Sequence, residues 1–147
     1  MAIQKQAFYE GAALHMVTRA GATSIRHDAP FFLLDNRLHI FLKYSTKGRS
    51  PWGFTFTPSE QLALANRGAD SSLVIGLICG SDGIATLAYD DYCQITDLQK
   101  SSVHVACFRR HNEHYEVSGP NGVLGTKVPP SMWQKILQQR DALYAAS

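Results

Sequence analysis

Three observations predict an α+β protein with a mixed central sheet. A Pro-free amphipathic segment lies near the start, three short runs of apolar and β-branched residues follow it, and a capped helix then leads into the continuous apolar run Leu73 to Cys79. In order they give a core of helix, three strands, helix and strand, followed by a C-terminal hairpin and a terminal helix. The chain has 147 residues, 14 Lys+Arg against 12 Asp+Glu, and 45% hydrophobic residues. Folding at this length buries roughly 68–70% of the unfolded surface, enough for one core without metal or disulfide staples. No repeat, low-complexity tract or linker divides the chain, so residues 1–147 are read as a single domain. Intrinsic disorder is excluded. A net charge of +2 excludes a polycationic binder of the histone sort but not a local basic patch.

The first helix is expected over Lys5 to Ala20, where Ile3, Ala7, Leu14 and Val17 fall on one stripe at 100° per residue and Glu10 falls inside it. Strands are expected at Thr23 to His27, Phe31 to Leu34 and Leu38 to Tyr44, the last two forming a hairpin through Asp35-Asn36-Arg37. Pairing about Asn36-Arg37 would set Asp35 opposite Leu38, about 17 Å along the strand from Lys43. Trp52 to Phe56 reads as a further strand. Thr57, Pro58 and Glu60 then form a capping box, with the hydroxyl at the N-cap and the carboxylate three residues on, opening a helix to about Asn66. Leu73 to Cys79 reads as a strand buried on both faces. Ile84 to Leu87 reads as a strand and Tyr89 to Leu98 as a short helix. Val103 to Arg110 and His114 to Ser118 read as a hairpin, and Met132 to Ala146 as an amphipathic helix.

Several classes are set aside on residue pattern alone. Apolar runs reach strand length and fall short of the roughly 20 residues that cross a bilayer, so no membrane span is expected. The segment after Met1 lacks the apolar stretch of a signal peptide, and a cytoplasmic location is expected. Cys79, Cys93 and Cys107 form no CxxC pair and read as reduced core residues. Gly80-Ser81-Asp82-Gly83 is a turn without the Gly-Lys-Ser/Thr of a phosphate loop. His111 and His114 beside Arg109 and Arg110 have metal or phosphate chemistry, but on a turn they read more simply as solvated side chains, as do Asp82, Asp90, Asp91 and Asp97.

One region stands out. Residues 36 to 59 hold Arg37, Lys43, Lys47 and Arg49 and no acidic residue, interleaved with Tyr44, Trp52, Phe54 and Phe56 and with the hydroxyls of Ser45, Thr46 and Ser50. Cations with small hydroxyl donors suit phosphate oxygens; the plainer reading is a solvated loop between core strands. Lys43 ends the apolar run Ile40-Phe41-Leu42 and admits two readings: a charge held to stabilise a phosphate, or a snorkelling stem with its ammonium in solvent. Glu10, set among Ile3, Leu14 and Val17, needs a cation or donor if buried. A Glu10–Lys43 pair would satisfy both residues.

From Gln4 to Cys79 the order of elements resembles the restriction-endonuclease-like superfamily. Phe41-Leu42-Lys43-Tyr44-Ser45-Thr46 is similar to its catalytic strand, and Phe54-Thr55-Phe56-Thr57-Pro58-Ser59-Glu60 to the strand and capped helix that follow. The resemblance implies Lys43 as the motif lysine, Glu10 as a first-helix glutamate and carboxylates holding Mg²⁺ to activate water. This sequence departs from the pattern at Phe41, which stands where the family places a metal-binding carboxylate. Asp28 and Asp35, flanking Phe31 to Leu34, are the remaining substitutes, with Asp28 nearer the Lys43 end.

The sequence therefore predicts a nucleic-acid-binding domain, for DNA or RNA, with a degenerate catalytic site, using Lys43, Ser45, Thr46, Lys47, Arg49 and Trp52. The enzyme alternative is a divergent Mg²⁺ nuclease with Glu10, Asp28 and Lys43 catalytic and Glu10 and Asp28 on the metal. The third reading is a non-enzymatic interaction module, compatible with a homo-oligomer, with Trp52 or Trp133 as exposed anchors.

Overall fold

A computed structural model describes residues 2–70, 72–96 and 101–138. The expected helix forms as α1 (Lys5–Arg19), and its exit shows why Gly21 follows it. Gly21 has a φ of 121°, and the N–H groups of Gly21 and Ala22 donate to the carbonyls of Thr18 and Val17 in a Schellman closure. The antiparallel strands β1 (Ile25–Asp28), β2 (Phe31–Leu34) and β3 (Leu38–Ser45) follow. Asp35 and Asn36 both carry positive φ at the β2–β3 turn, which short Asx side chains tolerate. Leu34 pairs with Leu38, so the hairpin centres on Asn36 and not between Asn36 and Arg37 as expected. The chain continues through β4 (Trp52–Phe56), α2 (Pro58–Asp70), β5 (Ser72–Cys79), β6 (Gly83–Ala88), α3 (Tyr89–Ile95), β7 (Val103–Phe108), β8 (Glu116–Gly119) and β9 (Gly122–Val123) to a 3₁₀ helix at Pro130–Lys135.

The expected α+β class with a mixed sheet is what forms. The first sheet has the order β1-β2-β3-β5-β6, with β3 and β5 parallel and every other neighbour antiparallel. The element order helix, three strands, helix, strand is present with one addition. β4 leaves the first sheet and joins the C-terminal hairpin in a second, antiparallel sheet of order β4-β7-β8-β9.

Strand periodicity divides the core in two. On β3 and β5, Leu38, Ile40, Leu42, Val74 and Ile78 point to one face, where Ala13 and Val17 of α1 and Trp133 of the 3₁₀ helix cover them. Phe41, Leu73, Ile75 and Leu77 point to the other, against Leu64 of α2 and the inward row Trp52, Phe54 and Phe56 of β4. Gly76 interrupts the apolar run of β5 because a Cβ there would stand 2.8 Å from the Trp133 ring. The indole N–H of Trp133 in turn donates to the carbonyl of Ala13 at 3.0 Å, tying the 3₁₀ helix to α1.

Several boundaries differ from expectation. α2 runs past Asn66 to Asp70, since Gly68, where a Cβ would stand 2.4 Å from the Tyr89 ring, lets the helix continue against that side chain. α3 ends at Ile95, and Asp97 and Leu98 lie outside the described residues. Of the expected terminal helix, the 3₁₀ turn and residues 136–138 are seen; Leu143 and Tyr144 lie outside the described residues. Cys79 and Cys107 are buried free thiols, whereas Cys93 is half-buried.

Candidate nucleic-acid interface

Lys43 follows Phe41 by two residues, so strand alternation points it toward α2 and away from α1. Its Nζ lies 3.0 Å and 3.1 Å from the two carboxylate oxygens of Glu60 and 5.5 Å from the centre of the Phe56 ring. The capping box is formed as expected: the Thr57 N–H donates to Glu60 Oε1 at 2.9 Å and the Glu60 N–H donates to Thr57 Oγ1 at 3.2 Å. One carboxylate thus closes the first turn of α2 and neutralises Lys43. Burial opposes ionisation of Glu60, but the Thr57 N–H and the Lys43 ammonium outweigh it and hold the carboxyl below its ordinary value.

The Glu10–Lys43 pair expected from the sequence is not formed. α1 packs on the opposite face of the sheet, where Tyr9 stacks on Tyr44 with ring centres 5.0 Å apart. Glu10 is half-exposed and accepts a hydrogen bond from Gln6 at 3.1 Å. Asp28 lies on the Lys43 face but serves a different cluster: its Oδ2 is 3.2 Å from His39 Nε2 and 3.4 Å from Arg67 Nη2. Glu60 and Arg67 stand seven residues apart on α2, about 10 Å along its axis, so the helix is tied to the sheet at two stations. Asp35 is likewise committed, its Oδ1 accepting from the N–H groups of Thr23 and Ser24 and from the Thr23 hydroxyl. These amide donors hold its carboxyl below its ordinary value.

The implied Mg²⁺ site does not fit these residues. Glu10 and Asp28 lie on opposite faces of the first sheet, so the catalytic set Glu10, Asp28 and Lys43 is not brought together. Phe41, which the resemblance sets at the carboxylate position, is buried against Phe31 and Phe56. Among the described residues no three His, Cys, Asp or Glu side chains gather as a metal-binding group.

The loop after β3 is organised differently. Thr46, Lys47, Gly48 and Arg49 are exposed, while the backbone beneath them is pinned. The Trp52 indole N–H donates to the Lys47 carbonyl at 3.0 Å, the Gly80 N–H donates to the Ser45 carbonyl at 2.9 Å, and the Ser50 hydroxyl donates to the Arg109 carbonyl at 3.1 Å. Gly80 is required at this contact: its φ is +55° and a Cβ would stand 2.2 Å from the Lys47 carbonyl oxygen. Trp52 therefore shapes the loop from below. It is 2% exposed and cannot contact nucleic acid or anchor a partner, contrary to its expected roles. Trp133, at 0% exposure, cannot serve as an exposed anchor either. Ser45 is half-buried and its hydroxyl faces the Lys47 N–H at 3.5 Å.

The Ser50–Arg109 bond brings in a segment that the sequence treats as separate. Asp82, Arg109, Arg110, His111 and Asn112 line an open cleft of about 260 Å³ beside the loop. Asp82 is exposed, as expected, and its carboxylate is also engaged: it accepts from Arg109 at 2.9 Å and from the Tyr115 hydroxyl at 2.5 Å. Arg109 is further fixed by donation to the Glu113 carbonyl at 2.7 Å and by packing over Tyr115. Arg110 and His111 remain exposed, so the rim presents Lys47, Arg49, Arg110 and His111 on neighbouring loops. Two spatial relationships are not visible in the sequence. Glu60 is legible as a cap but not as the partner of Lys43, and nothing local in the sequence joins Ser50 to Arg109.

Compared with protein-family models, curated proteins and solved structures, the chain matches none. No helix among the described residues is long and apolar enough to cross a membrane.

Proposed function

We propose that this protein binds nucleic acid, DNA or RNA, through phosphate contacts at the rim built by residues 46–50 and 109–111. The observation that carries the reading is the pinned loop. Two hydrogen bonds hold the Ser45 and Lys47 carbonyls and a third ties the Ser50 side chain to the Arg109 carbonyl, so exposed Lys47 and Arg49 stand on a supported loop joined to the segment that carries Arg110, with no acidic residue between positions 36 and 59. Pre-positioned cations lose less side-chain and loop freedom on binding a polyanion than cations on a loose segment. Thr46 adds an exposed hydroxyl for phosphate oxygens.

The similarity to the restriction-endonuclease-like core belongs to the same proposal, as a binding relative and not a cutting one. Lys43 is spent on Glu60 and Phe41 fills the carboxylate position, which supports a degenerate site. Fluorescence anisotropy with a labelled oligonucleotide tests the reading. Binding is expected at low salt and should fall steeply as salt rises. Absence of binding at low salt overturns it.

A further inference from the structure

Among the described residues, one face of the second sheet is exposed. Along β4 and β7 the inward row is Trp52, Phe54, Phe56, Val103, Val105 and Cys107, all buried. The alternate positions, Gly53, Thr55, His104, Ala106 and Phe108, form the outer face, exposed except for half-buried Ala106. Phe108 is 40% exposed, whereas Cys107 before it on β7 is a core residue. The His104 ring is fixed on the same face. It lies so close over Gly53 that a Cβ there would stand 2.7 Å from it, and Thr55 Oγ1 is 3.4 Å from its Nδ1.

Phe108 is the last residue of β7, one step before Arg109, whose carbonyl holds the Ser50 hydroxyl. The exposed ring therefore stands where the open sheet face meets the cationic rim. On its β8 side it faces Glu116, its register partner. That carboxylate disfavours a phosphate on the β8 side and leaves the β4 side, toward Arg49 and Lys47, as the favourable path for a polyanion.

We propose that this face selects single-stranded over duplex nucleic acid, with Phe108 stacking on an unpaired base while Lys47, Arg49 and Arg110 hold the adjoining phosphates. A duplex keeps its base faces inside the stack, whereas a single strand can lay them on an aromatic ring presented by an open sheet. Phe108 takes the nucleic-acid contact that the sequence assigns to Trp52. The proposal rests on the rim reading above.

The test uses the full chain, a labelled homopyrimidine single strand and a hairpin duplex of similar length, with wild type, Phe108→Leu and the Lys47→Ala/Arg49→Ala double variant. Wild type is expected to prefer the single strand at physiological salt. Phe108→Leu should weaken single-strand binding by roughly 5- to 150-fold, the effect of losing one stacked base, while leaving duplex affinity, the salt slope and the thermal midpoint nearly unchanged. The double variant should weaken both ligands. Equal affinity for both ligands, or an unaltered single-strand affinity in Phe108→Leu, overturns the selectivity and leaves the rim standing. Absence of binding to either ligand overturns both.

Discussion

Lys43 and Glu60 form a two-oxygen ion pair between β3 and the first turn of α2, and the same Glu60 carboxylate caps that helix through the Thr57 N–H. The side chains are 21% and 25% exposed, so the pair is neither a solvent-screened surface contact nor a dry internal one. Glu60→Ala removes both functions and should cost about 1–2 kcal/mol, the scale of a lost cap. Glu60→Gln keeps an acceptor for the Thr57 N–H and should cost less. Chemical denaturation of the two variants checks the order.

Acid sensitivity follows from the two depressed carboxyls. Glu60 and Asp35 have folded values below their ordinary 4.5 and 3.8. Their contributions are therefore fully present above those values and lost as pH falls through the folded ones. The difference in thermal midpoint between wild type and Glu60→Gln should be largest near neutrality and shrink below pH 4.5. Thermal melts across that range read the trend directly.

Gly80 couples stability to the rim. Gly80→Ala forces a β-carbon onto the Lys47 carbonyl and a left-handed φ onto an alanine, at a cost of at least about 1–2 kcal/mol from the backbone alone. Because the displaced partner is the rim backbone, oligonucleotide affinity should fall with it. A surface substitution of equal destabilisation elsewhere should leave affinity unchanged.

Both tryptophans should be silent toward solvent. Trp52 and Trp133 are 2% and 0% exposed, so acrylamide should quench the native protein far less than the unfolded chain. Oligonucleotide binding should not quench emission by direct stacking. Trp133→Ala should destabilise by about 3–5 kcal/mol, as a large truncation against Gly76 and α1.

Legibility in the sequence tracked how local the physics is. The capping box at Thr57–Glu60, the existence of the β2–β3 turn though not its register, and the doubly buried run Leu73 to Cys79 rest on neighbours in the chain and are readable from it. The departure of β4 into a second sheet was not, because Trp52 to Phe56 has the same alternation whichever strand pairs with it. The partner of Lys43 failed for a related reason: helix periodicity places Glu10 on the stripe of α1, but only the sheet's two-faced geometry shows that Lys43 points away from it. Trp52 reads as an exposed aromatic beside cations, and its burial depends on Tyr115 and the Lys47 carbonyl, both set by tertiary packing.

The salt dependence of oligonucleotide affinity in wild type and in the Lys47→Ala/Arg49→Ala variant tests the rim most directly. Removing two phosphate contacts should make the slope of log affinity against log salt shallower by roughly 1.4–1.8, with the fold intact by circular dichroism. An unchanged slope, or no binding by the wild type at low salt, would contradict the account.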